Sequence, residues 1–244
     1  MPMIASFGQS DPGLIRPHNE DSFVIVPEAD LLAVADGMGG AAAGEVASRI
    51  FIETASMRSS GSRCQSGCQS EQETLLRDIF RSANENILNH TRANPHCRGM
   101  GCTAELIIFT GQGYILGHVG DSRTYLLRAG HLKQLTRDHS LVQDQLDQGL
   151  IKPDEVRKHP FKHVILRAVG IEERLALDVV RGKTLPGDLF LLCTDGLTDM
   201  IDDSLIKEIL LLPLTLAQKG NKLIESAKAA GGRDNITVVL GEIT

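Results

Sequence analysis

The sequence predicts a single α+β domain, and three observations support that prediction. The chain has 244 residues, a length that one domain can hold. Short β-branched or alternating segments occur in blocks, and pairs of segments with helical periodicity lie between the blocks. No linker-like stretch divides the chain. We therefore expect one domain over residues 1–244.

The first block of strands precedes two helices. The predicted strands are 4–7, 22–26 and 31–35, and the predicted helices are 44–57 and 73–91. Residues 58–70, between the helices, are rich in Ser and Gly and can bury little apolar surface. We expect them to form a mobile surface loop.

The second half of the chain begins with four short strands separated by glycine-containing turns. These strands are predicted at 103–109, 114–119, 122–127 and 131–135. Their close succession predicts an antiparallel meander. Residues 139–163 are polar and helical, which indicates an insertion over one edge of the sheets. The remaining predicted strands are 175–180, 188–193 and 235–243, and the remaining helices are 205–212 and 216–230.

Composition and charge exclude several classes of partner. The formal net charge is -6, which would not attract phosphate backbones or anionic lipid. No segment reaches the roughly 20 apolar residues of a membrane span, and the N-terminal residues do not form an export signal. With no such signal, the five cysteines are expected as reduced thiols. We expect a cytoplasmic monomer that binds neither nucleic acid nor membrane.

Four aspartates adjoin apolar, strand-like segments. They are Asp36, Asp121, Asp195 and Asp234, and the first three stand beside a glycine. Any one of them could be a turn residue that caps backbone amides. Together with Glu20 and Asp21, however, they would repel one another strongly unless a cation neutralised them. Oxygen ligands favour Mg²⁺ or Mn²⁺, so the sequence predicts a two-metal hydrolytic centre.

Seven short sequence blocks stand in order along almost the whole chain. They are Arg16-Pro-His-Asn-Glu20-Asp21-Ser, Val34-Ala-Asp36-Gly37-Met-Gly-Gly, Gly101-Cys-Thr, His118-Val-Gly-Asp121-Ser-Arg, Thr136-Arg-Asp-His-Ser, Thr194-Asp195-Gly196-Leu-Thr-Asp and Gly232-Arg-Asp234-Asn235-Ile-Thr-Val. In this order the chain resembles a short, single-domain bacterial member of the metal-dependent protein serine/threonine phosphatases, the 2C family. The resemblance implies two packed antiparallel β-sheets flanked by helix pairs, a four-layer α-β-β-α sandwich.

The resemblance also implies roles for particular residues. Asp36 would bridge two tightly bound Mn²⁺ or Mg²⁺ ions, and Gly37 would offer its carbonyl oxygen to one of them. Asp195 and Asp234 would complete the catalytic set as further ligands.

The remaining assignments concern the second metal, a third metal and the phosphate. Glu20 and Asp21 match the acidic pair that holds the second metal directly or through water. Asp121, with Asp195, would hold a third and weaker ion. Arg16 matches the substrate-binding arginine, whose planar fork suits two phosphate oxygens.

The implied reaction is hydrolysis of phosphoserine and phosphothreonine in proteins by a metal-activated water at a di- or trinuclear Mg²⁺ or Mn²⁺ centre, which would oppose a cognate bacterial serine/threonine kinase. Two alternatives use the same residues. One is a metal-binding pseudophosphatase that acts as a phosphoprotein-binding or scaffold module. The other is a phosphomonoesterase for small molecules.

The chain departs from the family at one position. Many members have a histidine after Asp-Gly-Met-Gly-Gly, a residue proposed to protonate the leaving oxygen, whereas this chain has Ala41. His18 and His139 are candidates for the missing acid. Residues 139–163 correspond to the variable flap of bacterial members, which lies near the active site.

Overall fold

The computed structural model describes residues 4–39, 43–60, 69–111 and 113–244. Its strands are β1 (Ile4–Asp11), β2 (Asp21–Val26), β3 (Leu31–Met38), β4 (Gly101–Cys102), β5 (Ala104–Thr110), β6 (Gly113–Val119), β7 (Arg123–Arg128), β8 (His131–Gln134), β9 (Asp178–Gly182), β10 (Leu189–Cys193) and β11 (Ile236–Ile243). Its α-helices are α1 (Gly44–Ser59), α2 (Gln69–Ala93), α3 (Leu141–Asp147), α4 (Pro153–Val156), α5 (Asp195–Thr198), α6 (Asp203–Leu211) and α7 (Leu216–Ala229).

The strands form two antiparallel sheets. One has the order β1-β11-β10-β7-β8, and the other has the order β2-β3-β5-β6-β9, with β4 paired to the end of β3. An apolar layer lies between the sheets, where Phe109 and Phe190 meet edge to face with ring centroids 5.0 Å apart. The predicted pairing of two sheets is confirmed.

Helices cover the outer face of each sheet. Helices α1 and α2 contact the six-stranded sheet through a buried apolar cluster in which Phe51 and Phe80 pack 5.1 Å apart. Helices α6 and α7 cover the five-stranded sheet through a second cluster that includes Ile209 and Leu223. Burial on both faces explains why the central strands β5, β6 and β10 are mostly apolar, and the four-layer α-β-β-α prediction is confirmed.

The predicted meander is wrong. Strands β5 and β6 form a hairpin in one sheet, and β7 and β8 form a hairpin in the other. The chain crosses between the sheets at Gly120 to Ser122, although the glycine there resembles a hairpin turn. Strand periodicity cannot specify which sheet a strand joins, because strands of both sheets are buried on both faces.

The predicted boundaries differ from the structure in a few other places. The strand predicted at 175–180 begins at Asp178, and the sequence analysis did not predict β4 or α5. In the predicted loop 58–70, Arg58 and Ser59 end α1 and Gln69 begins α2, while residues 61–68 lie outside the described residues. Among the described helices, none has the length and apolar character that crossing a bilayer requires.

Candidate active site

The predicted aspartates meet at one end of the sandwich because of strand polarity. Asp21 begins β2 and lies opposite Asp36 near the end of β3. Asp121 follows β6, and Asp195 and Asp234 lie beside the ends of β10 and β11 that reach the same edge. Asp36 interacts electrostatically with all four of the others. The structure therefore brings together the carboxylates that the sequence placed in five separate blocks.

Burial and mutual repulsion disfavour ionisation of these carboxylates. Burial first, and then neighbouring carboxylates, raise the pKa of Asp36 and of Asp121 well above the ordinary range. The pKa of Asp21 is raised to about 7 and that of Asp195 to about 6, again mainly by burial. A divalent cation among them would reverse this penalty by stabilising the ionised forms.

Three carboxylate oxygens of this cluster are buried and have no hydrogen-bond partner among the described residues. They are Oδ1 of Asp21, Oδ1 of Asp121 and Oδ1 of Asp195. A buried carboxylate oxygen without a donor is costly and calls for a missing partner. Hard oxygen donors of this kind fit Mg²⁺ or Mn²⁺, so the residues present suit the metals that the resemblance implies.

Asp21 is held in place by two buried threonines that the sequence analysis did not single out. Thr194 Oγ1 and Thr237 Oγ1 donate hydrogen bonds of 2.8 and 2.7 Å to Asp21 Oδ2. The Thr237 backbone N–H donates in turn to Thr194 Oγ1 at 3.0 Å. One oxygen of Asp21 is thus fixed by the five-stranded sheet, while the other remains without a partner in the cluster.

Gly37 lies where only a glycine fits. A Cβ at this position would come within 2.1 Å of the Gly44 carbonyl oxygen and 2.6 Å of that of Glu20.

The Glu20 backbone N–H donates to Asn235 Oδ1 at 2.8 Å, and Asn235 Nδ2 also donates to the His18 carbonyl at 2.9 Å. Asn235 therefore ties the loop that carries Arg16 and Glu20 to the strand end that follows Asp234.

Arg16 lies at the entrance of the cluster. Its Nη2 donates to Asp234 Oδ2 at 2.7 Å, and about half of its side chain is exposed. This hydrogen bond, and then the charge of Asp234, raise the pKa of Arg16. A cleft of about 450 Å³ adjoins both residues and also reaches Glu20, Asp36 and Asp195.

The end of the segment 139–163 borders the same cleft. Arg157 donates to the Thr198 and Ile201 carbonyls at 2.8 and 2.7 Å, and these carbonyls lie at and beyond the end of α5. Lys162 Nζ lies 2.6 Å from Asp199 Oδ2 and, like His163, lines the cleft. The segment is therefore attached to the short helix that begins with Asp195.

Sequence reasoning missed two possible ligands. Ligand atoms of His163, Asp195 and Asp199 lie within 4.8 Å of one another. Asp199 stands four residues after Asp195, one helical turn away, and this spacing was a usable signal. No local pattern marked His163, because only tertiary contacts bring residues 139–163 to α5.

The two histidines considered as acids lie in different surroundings. His18 is exposed on the Arg16 loop. His139 is buried, and its ring nitrogens contact the Gly120 N–H, the Asp178 carboxylate and the Arg167 guanidinium. Neither is among the described residues that line the cleft. Ala41, the site of the missing histidine, lies outside the described residues.

Comparison with known proteins agrees with this arrangement. A sequence model described as Protein phosphatase 2C matches residues 17–236. The Mycobacterium tuberculosis serine/threonine protein phosphatase PstP is 41% identical over 236 residues, a match that covers 96% of this chain and 44% of that protein. The chain thus spans less than half of that relative. The Listeria monocytogenes serine/threonine phosphatase stp is 38% identical over 237 residues, covering 96% of this chain and 94% of that protein.

Solved structures show the same fold. The crystal structure of Mycobacterium tuberculosis PstP superposes with a TM-score of 0.89 at 39% identity, covering 98% of each chain. A serine/threonine phosphatase from S. agalactiae gives a TM-score of 0.92 at 30% identity, covering 99% of this chain and 100% of that one. The PstP catalytic domain in complex with two manganese ions gives 0.87 at 38% identity, covering 99% and 98%. From the matched blocks, the fold and these relatives, the chain belongs to the protein phosphatase 2C family, whose members depend on Mn²⁺ or Mg²⁺.

Proposed function

We propose that this chain hydrolyses phosphoserine and phosphothreonine in proteins at a di- or trinuclear Mn²⁺ or Mg²⁺ centre. The observation that carries the proposal is the cluster of buried, mutually repelling carboxylates, with three oxygens lacking partners, beside Arg16. Without a cation, such a cluster lowers the stability of the fold, because buried carboxylates repel one another and lose their hydration. The arrangement therefore supports a metal site that is open to a phosphate.

The proposed ligands follow the sequence prediction. The tight pair of ions would be held by Glu20, Asp21, Asp36, the Gly37 carbonyl, Asp195 and Asp234, and the weaker third ion by Asp121 and Asp195. When bound, the cations would supply the positive charge that acidifies a shared water and neutralises the phosphoryl oxygens. Thr194 and Thr237 would keep Asp21 oriented without moving on binding, since both already hydrogen-bond to it.

Arg16 would bind the phosphate in place of its present partner. Its guanidinium can direct two parallel N–H groups at two phosphate oxygens, which a lysine cannot do. The Asp234 carboxylate that now accepts from Arg16 would then turn wholly to the metal site. His163 lines the cleft and is a candidate to protonate the leaving oxygen where the family histidine is replaced by Ala41.

Residues 139–163 would act as a flap beside the substrate, supported by the contacts of Arg157 and Lys162 with the α5 region. The substrates would be phosphoproteins, and the reaction would oppose a bacterial serine/threonine kinase. The similarity to the Listeria phosphatase over nearly its whole length supports this role.

The monomeric state, the cytoplasmic location and the single domain with its mobile loop stay predictions. Because every proposed ligand position carries a residue that can bind a cation, catalysis is favoured over the pseudophosphatase alternative.

The test is release of phosphate from a phosphothreonine peptide with and without Mn²⁺. We expect Mn²⁺-dependent release by the wild-type chain and none by Asp36→Asn, which should also lose Mn²⁺ binding measured by calorimetry. Asp78→Asn, on the exposed face of α2, is the matched control and should behave as wild type. Mn²⁺ binding with phosphopeptide binding but no release would identify a pseudophosphatase, and faster release from sugar phosphates would identify a small-molecule esterase.

A further inference from the structure

The turn that carries Asp121 is held by two residues from elsewhere in the chain, Thr103, which hydrogen-bonds Ser122 at 2.7 Å, and His139, which binds the backbone of Gly120. Gly120 has a φ of +112°, and a Cβ at this position would come within 2.5 Å of the Thr103 side chain. Its N–H donates to His139 Nδ1 at 3.1 Å, and its carbonyl accepts from the His139 backbone N–H at 2.7 Å. Both backbone polar groups of Gly120 are therefore bonded to His139.

The same histidine is attached to the end of the flap segment. Its carbonyl accepts from the Leu166 N–H at 2.7 Å, and Ser140 forms a β-bridge with Ile165. His139 Nε2 lies 3.3 Å from Asp178 Oδ2 at the start of β9. Because Nδ1 accepts from Gly120, a neutral ring carries its proton on Nε2, which faces Asp178 and also lies 3.2 Å from Nη1 of Arg167, itself paired with Asp178. His139 thus joins the Asp121 turn, the flap and β9.

A buried ion pair between His118 and Glu105 lies next to the His139 ring. The His118 ring packs against the His139 ring with centroids 4.4 Å apart and a tilt of 37° between the two planes. His118 Nδ1 is paired with Glu105, Nε2 bonds the Arg137 carbonyl at 2.8 Å, and the other Glu105 oxygen accepts from Thr124 Oγ1 at 2.5 Å. Burial first, and then the charge of His118, lower the pKa of His139 to about 4, so its ring is neutral and Nδ1 is free to accept.

We propose that His139 is a positioning residue that holds the Gly120–Asp121 turn in the geometry required for cation binding and links that turn to the flap. Glu105 supports His139 indirectly, because it fixes the His118 ring against which the His139 ring packs. A structural role alone would not need this polar arrangement, because an apolar side chain could fill the same buried space with no ion pair beneath it. The inference rests on the proposed function in one respect, that Asp121 holds a cation.

The test uses three substitutions at position 139. His139→Asn places an amide oxygen close to where Nδ1 stands and should keep the bond from Gly120, whereas His139→Gln places its amide nearer Nε2 and His139→Ala has no acceptor. We expect amide hydrogen exchange at Gly120, followed by NMR, to rise about tenfold in the Ala and Gln variants and to stay near wild type in Asn. His131→Ala, on the exposed strand β8, is the control.

A calorimetric titration with Mn²⁺ alone is the second readout. We expect the weakest Mn²⁺ site to lose about 10–100-fold in affinity in His139→Ala, as is typical when the support of a ligand is removed, with the tight sites unchanged. Unchanged exchange at Gly120, equal effects of all three substitutions, or raised exchange with unaltered Mn²⁺ binding would each overturn the proposal. If Asp121→Ala itself leaves Mn²⁺ binding intact, the ligand assignment fails, and the exchange data alone decide the role of His139. Should the Ala variant not fold, the comparison of Asn with Gln gives the same decision.

Discussion

Asp21→Asn should stabilise the metal-free protein, because an ionised Asp21 destabilises the fold. Burial first, opposed by hydrogen bonds from Thr237 and Thr194, and then repulsion from other carboxylates leave its pKa at about 7, against 3.8 for an unperturbed aspartate. Because the pKa of Asp21 is higher in the folded than in the unfolded chain, folding favours the protonated carboxyl, and the stability that this group contributes in its protonated form is fully present below pH 3.8. That contribution is lost as the pH rises to about 7.

The size of the effect follows from the same two values. Each pKa unit between folded and unfolded states corresponds to about 1.4 kcal/mol, so ionisation of Asp21 lowers the free energy of unfolding by about 4 kcal/mol at pH 8 and about 1.5 kcal/mol at pH 5. Asparagine cannot ionise, and its amide oxygen can still accept from both threonines. The variant should therefore be more stable than wild type without metal, with a midpoint roughly 10 °C higher at pH 8 for a chain of this size.

The assay is thermal unfolding in a chelator at pH 5 and pH 8, repeated with saturating Mn²⁺. We expect a larger gain at pH 8 than at pH 5 in the chelator, and a smaller Mn²⁺-induced stabilisation of Asp21→Asn than of wild type, because a charged ligand has been removed. Asp78→Asn should change none of these differences. A variant that is no more stable than wild type at pH 8, or whose gain is equal at both pH values, would refute the reasoning.

Three further predictions concern the third metal, the leaving group and the phosphate. Asp121→Ala should retain two tight Mn²⁺ ions and lose much of its turnover, and calorimetry that finds both tight sites lost would contradict the assignment. Ala41→His should raise turnover on a phosphothreonine peptide more than on p-nitrophenyl phosphate, because an alkoxide needs a proton and a nitrophenolate does not. Equal effects on both substrates, with no selective loss in His18→Ala or in His163→Ala, would remove protonation as the explanation. Arg16→Lys keeps the charge but loses the fork, so KM for the peptide should rise about tenfold with Mn²⁺ binding unchanged, and a loss of Mn²⁺ binding would show that Arg16 acts through Asp234.

The sequence by itself determined those features that depend on neighbouring residues. Apolar periodicity placed most strands and helices, because one face of each element must be buried whatever it packs against. The aspartates stood out since a carboxylate beside a glycine at a strand end is a local pattern. Repulsion among these four aspartates, Glu20 and Asp21 predicted a cation before any contact was known. The matched blocks then pointed to the family and to the residues that would hold the metals.

Only the tertiary structure decided which strands share a sheet and which side chains support the site. The crossing at Gly120 looks like a hairpin turn in sequence, yet it sends β7 to the other sheet, because long-range burial rather than turn chemistry selects the partner strand. Thr194 and Thr237 gained their role when β10 and β11 placed them against Asp21. His139, one of several polar residues in its segment, is buried because folding places it between the Asp121 turn and β9. Contacts between residues distant in the chain have no signature in local composition, so they emerge only when the whole chain has folded.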